Sequence, residues 1–189
     1  GNLNLLGESR PGTAFTTLIY SSREIFEPVQ ISAEVQTRQG MIEGTLEFIL
    51  PLPGGRLALT TNPNNWIFEN ENDTARIDLT ARLTDDYRSP VSRAPLRFTA
   101  SAGNLAWFNL QDSLWTPFPA DSAVITTGRN DLPRQSPSGL ITVRLEVPFN
   151  ELFNPRQPQE RLVQVRVRLD VEPNLEAEPA LISLVWRGN

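Results

Sequence analysis

Hydrophobic and polar positions alternate along much of this chain with a period of two. The clearest run follows Asp73, where Ala75, Ile77, Leu79, Ala81 and Leu83 stand between Arg76, Asp78, Thr80 and Arg82. Such alternation predicts a strand with one face in a core and the other in water. Asp85-Asp86-Tyr87-Arg88-Ser89-Pro90 interrupts it with turn chemistry, and Leu96–Ala100 (LRFTA) follows as a second strand stopped by Gly103-Asn104. The same rhythm predicts half-buried strands over 29–36 and 162–171. Runs rich in β-branched and aromatic residues predict more at 13–21, 41–50, 56–61, 140–147 and 181–186. Prolines fall between these runs, so breakers and periodicity agree on an all-β chain. The one helical candidate is Phe149–Phe153, a single turn.

Two segments echo each other. Leu46 and Phe48 form a Leu-x-Phe pair like that of Leu96 and Phe98, and each stretch then reaches Gly and Leu, at Gly55-Arg56-Leu57 and Gly103-Asn104-Leu105. A degenerate internal repeat accounts for this, and so does chance recurrence among strands. Asn62-Pro63-Asn64-Asn65 is the best linker, with Trp66-Ile67-Phe68 as a short strand crossing from one domain to the next. The expected organisation is tandem β-sandwiches, residues 1–68 and 69–189. At 60 to 70 residues the first is small against the roughly 100 usual for an immunoglobulin sandwich. It is therefore either reduced or shares strands with the second in one larger domain.

The order strand, Asp-containing turn, Pro-Val, strand, Gly over Asn72–Leu105 resembles the bacterial immunoglobulin-like repeats of invasin- and intimin-type surface proteins. The likeness weakens over 106–138 and returns at Ser138–Val147, where Ser138-Gly139 precedes a strand. It implies tandem immunoglobulin-like sandwiches. It also implies a non-catalytic module of a secreted or surface-anchored bacterial protein, acting in adhesion or as a spacer. The location so implied is extracellular or at the cell surface, with a signal peptide removed. The partners so implied are a protein or glycan there and neighbouring domains of the same protein.

Composition removes most chemistries. With no Cys and no His, the usual zinc, haem, iron–sulfur and copper sites and the Ser-His-Asp and Cys-His mechanisms are excluded. Carboxylate chemistry and oxygen-ligated cations stay open. The net charge of −5 argues against nucleic acid, and every basic residue is Arg, which suits a charge-laced sheet surface. No run approaches the roughly 18 apolar residues of a membrane-spanning helix. The paired glycines at 54 and 55 lack the Lys and following helix of a phosphate loop.

Residues 104–119, read as an insertion, carry Trp107, Phe108, Trp115 and Phe118. On a loop these rings could stack on sugars or anchor a protein, so a carbohydrate-binding module is the alternative function. Otherwise they fold inward as lid and edge strand. Coplanar, exposed rings at Trp107 and Trp115 favour sugar; buried rings favour the spacer. Glu69–Asp73 and Asp85-Asp86 read as turn and linker residues, the alternative being a calcium site at the junction. The scattered acids Glu146, Glu151, Glu160, Glu172, Glu176 and Glu178 show no glycosidase pairing. The expectation is no enzyme, no cofactor and no metal.

Overall fold

The computed structural model describes residues 2–5, 16–19, 26, 28–48, 52, 54–109, 111–119, 123–128 and 139–188. Among the described residues fourteen strands and one helical turn run in chain order. Near the N-terminus β1 (Asn2–Leu5) pairs with β2 (Thr16–Ile19), and β3 (Val29–Thr37) pairs with β4 (Gly40–Phe48). Then come β5 (Arg56–Asn62), β6 (Asn65–Phe68), β7 (Thr74–Thr84), β8 (Pro95–Ala100), β9 (Asn104–Asn109) and β10 (Leu114–Pro117). The chain closes with β11 (Val124–Thr126), β12 (Leu140–Pro148), α1 (Phe149–Leu152), β13 (Gln159–Leu169) and β14 (Ala180–Trp186).

Two five-stranded sheets carry the core, in the orders β10-β9-β12-β7-β5 and β11-β8-β13-β14-β6. All pairings in them are antiparallel except that of β6 with β14. The alternation read from the sequence sets which side chains meet. From the first sheet Ile77, Leu79, Leu83, Ile141, Val143 and Leu145 point inward, each 0% exposed. From the second come Leu96, Phe98, Val165, Val167, Ile182 and Leu184, none more than 1% exposed. One end of the sandwich is plugged by aromatics. Phe149 on α1 lies 5.5 Å from Phe68, 5.5 Å from Phe153 and 4.9 Å from Trp186 between ring centroids. The prolines within strands stand at their ends (Pro95, Pro117, Pro148), where a missing N–H costs the ladder little.

The structure corrects the tandem division of residues 1–68 from 69–189. β5 is bonded to β7 over its whole length, β6 is bonded to β14, and Phe26, Leu52 and Phe68 lie in the same core as Ile77 and Leu184. The cut expected near Asn62 therefore falls inside one sandwich, where the chain steps from the first sheet to the second. The alternative of shared strands describes β5 and β6. Trp66–Phe68 is not a crossing strand between domains but an edge of the second sheet. The Leu-x-Phe echo also parts company: Leu96 is fully buried, whereas Leu46 is 62% exposed. β3, expected to be half-buried, is exposed from Ser32 through Gln36.

Candidate functional site

The four aromatic residues expected to act together lie on opposite sides of a sheet. Residues 104–119 are not a loop insertion: β9 and β10 form a hairpin at the edge of the first sheet. Leu105 pairs with inward Leu145, so alternation turns Trp107 inward as well, and Trp107 and Phe118 pack against the core. Ala106 pairs with outward Arg144, so Phe108 faces out, together with its cross-strand partner Trp115. These two rings meet edge to face at 5.5 Å. The Arg144 guanidinium lies 4.0 Å from the centre of the Trp115 ring and its Nε donates to Asp78 Oδ1 at 2.9 Å. Trp115 is half-buried, and a cation already covers one face of it. Trp107 and Trp115 are thus not coplanar neighbours on one surface.

The acidic positions serve the architecture. Asp73 caps the turn before β7, accepting from Thr74 N at 2.8 Å and from Trp66 Nε1 at 3.4 Å. Asp85 Oδ1 accepts from Ser89 N at 2.8 Å inside the turn after β7, and its Oδ2 is buried without a hydrogen-bond partner. In the C-terminal part, Glu151 accepts from Gly103 N, Glu160 from Ser183 Oγ and Glu172 from Leu52 N. Glu146 stands 3.7 Å from Arg76 and Glu176 3.8 Å from Arg166. These contacts are spread over both sheets. Among the described residues no three His, Cys, Asp or Glu side chains could hold a metal ion together. A shallow cavity of about 190 Å³ on the outer face of the second sheet is lined by Arg97, Thr99, Arg166, Arg168 and Glu176. Among the described residues no helix is long and apolar enough to cross a membrane.

The exposed element that the sequence reading did not single out is the β3–β4 ribbon. Thr37 closes its turn: Gln39 N donates to Thr37 Oγ1 at 3.2 Å, and Thr37 Oγ1 donates to Gly40 O at 2.7 Å. Gly40 takes φ 134°, which other residues rarely adopt. Register places Val35 opposite Ile42, Ala33 opposite Gly44 and Ile31 opposite Leu46, so one face is apolar. The other face sets Glu34 against Glu43 and Gln30 against Glu47. Val35 is 58% exposed, and Ile42 and Leu46 are each 62% exposed. Both feet of the ribbon are fixed. Phe26 and Leu52 sit in the core at 5% exposure, Phe26 N donates to Ser92 O at 2.8 Å, and Leu52 N donates to Glu172 Oε1 at 2.9 Å. An apolar face in water at the end of an anchored ribbon is the feature that core formation does not explain. Its sequence signal was present, as the two alternating runs on either side of Arg38-Gln39-Gly40.

Fold and site together define a class, a two-sheet β-sandwich carrying an uncovered apolar ribbon. No protein-family model matches the chain, and no curated protein matches it. Among solved structures, an ASH/PapD-like domain of human CEP192 matches at 9% identity and a TM-score of 0.36, over 74% of this chain and 89% of that chain. AggA, the major subunit of aggregative adherence fimbriae type I from Escherichia coli, matches at 11% identity and a TM-score of 0.31, over 71% of this chain and 95% of that chain.

Proposed function

We propose that this chain is a non-catalytic immunoglobulin-like contact module of a secreted or surface-anchored bacterial protein, working in adhesion or as a spacer through its β3–β4 ribbon. The observation that carries the reading is the apolar face of Val35, Ile42 and Leu46, held in water by a ribbon whose feet are built into the core. Exposed apolar area of this kind lowers solubility in the free protein and is compensated when a partner covers it. The working chemistry is burial and shape, with specificity supplied by the glutamates on the opposite ribbon face.

The test compares beads coated with wild type and with a Val35→Ser/Ile42→Ser/Leu46→Ser variant under shear flow. The surfaces are immobilised extracellular-matrix glycoproteins and the same chain. Both proteins are expected to melt alike, because the three side chains lie outside the core. Wild-type beads are expected to resist shear on at least one surface and variant beads to detach. Equal retention of the two on every surface overturns the reading.

A further inference from the structure

The chain enters and leaves the sandwich at opposite ends. β7 starts at Thr74 opposite Pro148, beside the aromatic plug around Phe149, and finishes at Thr84 at the far end. β5 starts at Arg56 opposite Thr84 and reaches Asn62 opposite Asp78, so it runs from the far end toward the plug. β6 continues the same way, and its last residue, Phe68, lies 5.5 Å from Phe149 and 5.3 Å from Phe153. β14 runs parallel to β6 and reaches the plug at Trp186, 4.9 Å from Phe149. Both feet of the ribbon stand at the entry end. Leu52 N is held by Glu172, just past the end of β13, and Phe26 N by Ser92 O, between β7 and β8.

Tension between the two ends therefore runs along the strands. It draws β5 and β6 away from the plug and β14 out of it, in opposite directions. Two ladders resist, β5 on β7 over seven paired residues and β6 on β14 over four. Sliding a strand lengthwise over its neighbour loads every hydrogen bond between them at once, whereas prising two strands apart at one end breaks the bonds singly. Side chains block sliding as well. A shift of one residue would turn Leu57, Leu59, Trp66 and Phe68 from the core to the outer face, and a shift of two moves them about 7 Å through a close-packed interior. The parallel pairing of β6 with β14 produces this arrangement. An antiparallel pairing would bring entry and exit to one end, where tension would unzip them.

We infer that the sandwich is a load-bearing link. Tension taken up at the ribbon enters through Leu52 and β5, crosses to β14 at the β6 ladder and leaves past Trp186. This rests on the contact reading and adds that a contact made at one end is held against pull from the other. The ends of both loaded strands are clasped by the same ring, since Phe68 and Trp186 each pack on Phe149. Trp186 is tied further by its Nε1, which donates to Pro155 O at 3.2 Å.

The chain has no Cys, so a pair of introduced thiols sets where force is applied in single-molecule stretching of the full chain. Arg56→Cys/Arg187→Cys attaches the handles at opposite ends of the sandwich and pulls lengthwise. Arg156→Cys/Arg187→Cys attaches both near the plug, where Gln159 pairs with Trp186, and unzips β14 from β13. All three positions are exposed, and both variants are expected to keep the wild-type melting temperature. Forced unfolding reads the barrier along the pulled direction, so equal equilibrium stability does not imply equal force. Lengthwise pulling is expected to need at least about twofold more force at the same loading rate, and to release the length from β5 to β14 in one step. Equal or lower force lengthwise, or release of β5 and β6 as a separate early step, overturns the inference. Wild-type beads that outlast variant beads under flow would keep the contact reading even if the two pulling directions gave equal forces.

Discussion

Leu46 and Leu96 occupy the same place in the sequence echo, and the structure assigns them opposite energetics. Leu96 is 0% exposed, sits on β8 between β11 and β13, and packs in the main core. Truncating such a leucine loses its transfer free energy and leaves a cavity, so Leu96→Ala is expected to cost about 2 to 5 kcal/mol. Leu46 is 62% exposed on the ribbon, and Leu46→Ala is expected to cost less than about 0.5 kcal/mol. Urea unfolding is followed by tryptophan fluorescence, to which Trp186, itself 2% exposed in the core, contributes. With a slope of about 2 kcal/mol per molar, Leu96→Ala shifts the midpoint down by about 1 to 2.5 M and Leu46→Ala by less than about 0.25 M. Far-ultraviolet dichroism in the same titration registers the ribbon. Equal shifts for the two variants, or a Leu46→Ala cost above about 2 kcal/mol, would place the ribbon face against a core and refute the reasoning.

Further outcomes follow at single residues. Thr127, fully buried, accepts from Ala94 N at 3.1 Å and donates to Val91 O at 2.6 Å; Thr127→Val leaves both backbone groups stranded and is expected to cost about 2 to 4 kcal/mol in urea titration. Asp85→Asn keeps the acceptor for Ser89 N and removes a buried charge whose second oxygen has no donor, so it is expected to be neutral or stabilising by chemical denaturation, whereas Asp85→Ala costs about 1 to 3 kcal/mol. At Gly103, with φ 83°, an added Cβ would lie 2.6 Å from Glu146 O, so Gly103→Ala is expected to lose more than about 1 kcal/mol. Gly44→Ala on the ribbon meets nothing within 4 Å and is expected to leave the melting temperature unchanged or raised, scanned alongside it.

Most of the core was legible because period-two alternation reports which residues share a face. β7 was read with its buried positions correct, β13 was read as half-buried and β12 as a strand, and the helical turn appears at Phe149–Leu152. What alternation does not report is the partner across the ladder. β5 and β6 looked like the end of a first domain because nothing local in Arg56–Phe68 says that its strands pair with β7 and β14, which lie later in the chain. The aromatic residues were misgrouped for a related reason. Once Asn104–Asn109 is a strand, Trp107 follows Leu105 inward and Phe108 follows Ala106 outward, but a loop reading treats all four rings as one surface. The side taken by Trp115 depends on the length of the turn through Asp112, where Leu114 N donates to Asp112 Oδ1.

The same blindness explains the ribbon. Alternation in β3 and β4 specifies an apolar face, and a core strand and a docking strand have identical patterns until a covering layer is found. A two-stranded ribbon alone in water is marginal, and ordering each of its residues costs about 1 to 2 kcal/mol of backbone entropy. The sequence nevertheless keeps Val35, Ile42 and Leu46 on one face, where polar residues would serve an exposed hairpin better, and sets Glu34 against Glu43 on the other. Neither choice stabilises the free ribbon. Both become favourable when something apolar covers the first face and something cationic approaches the second.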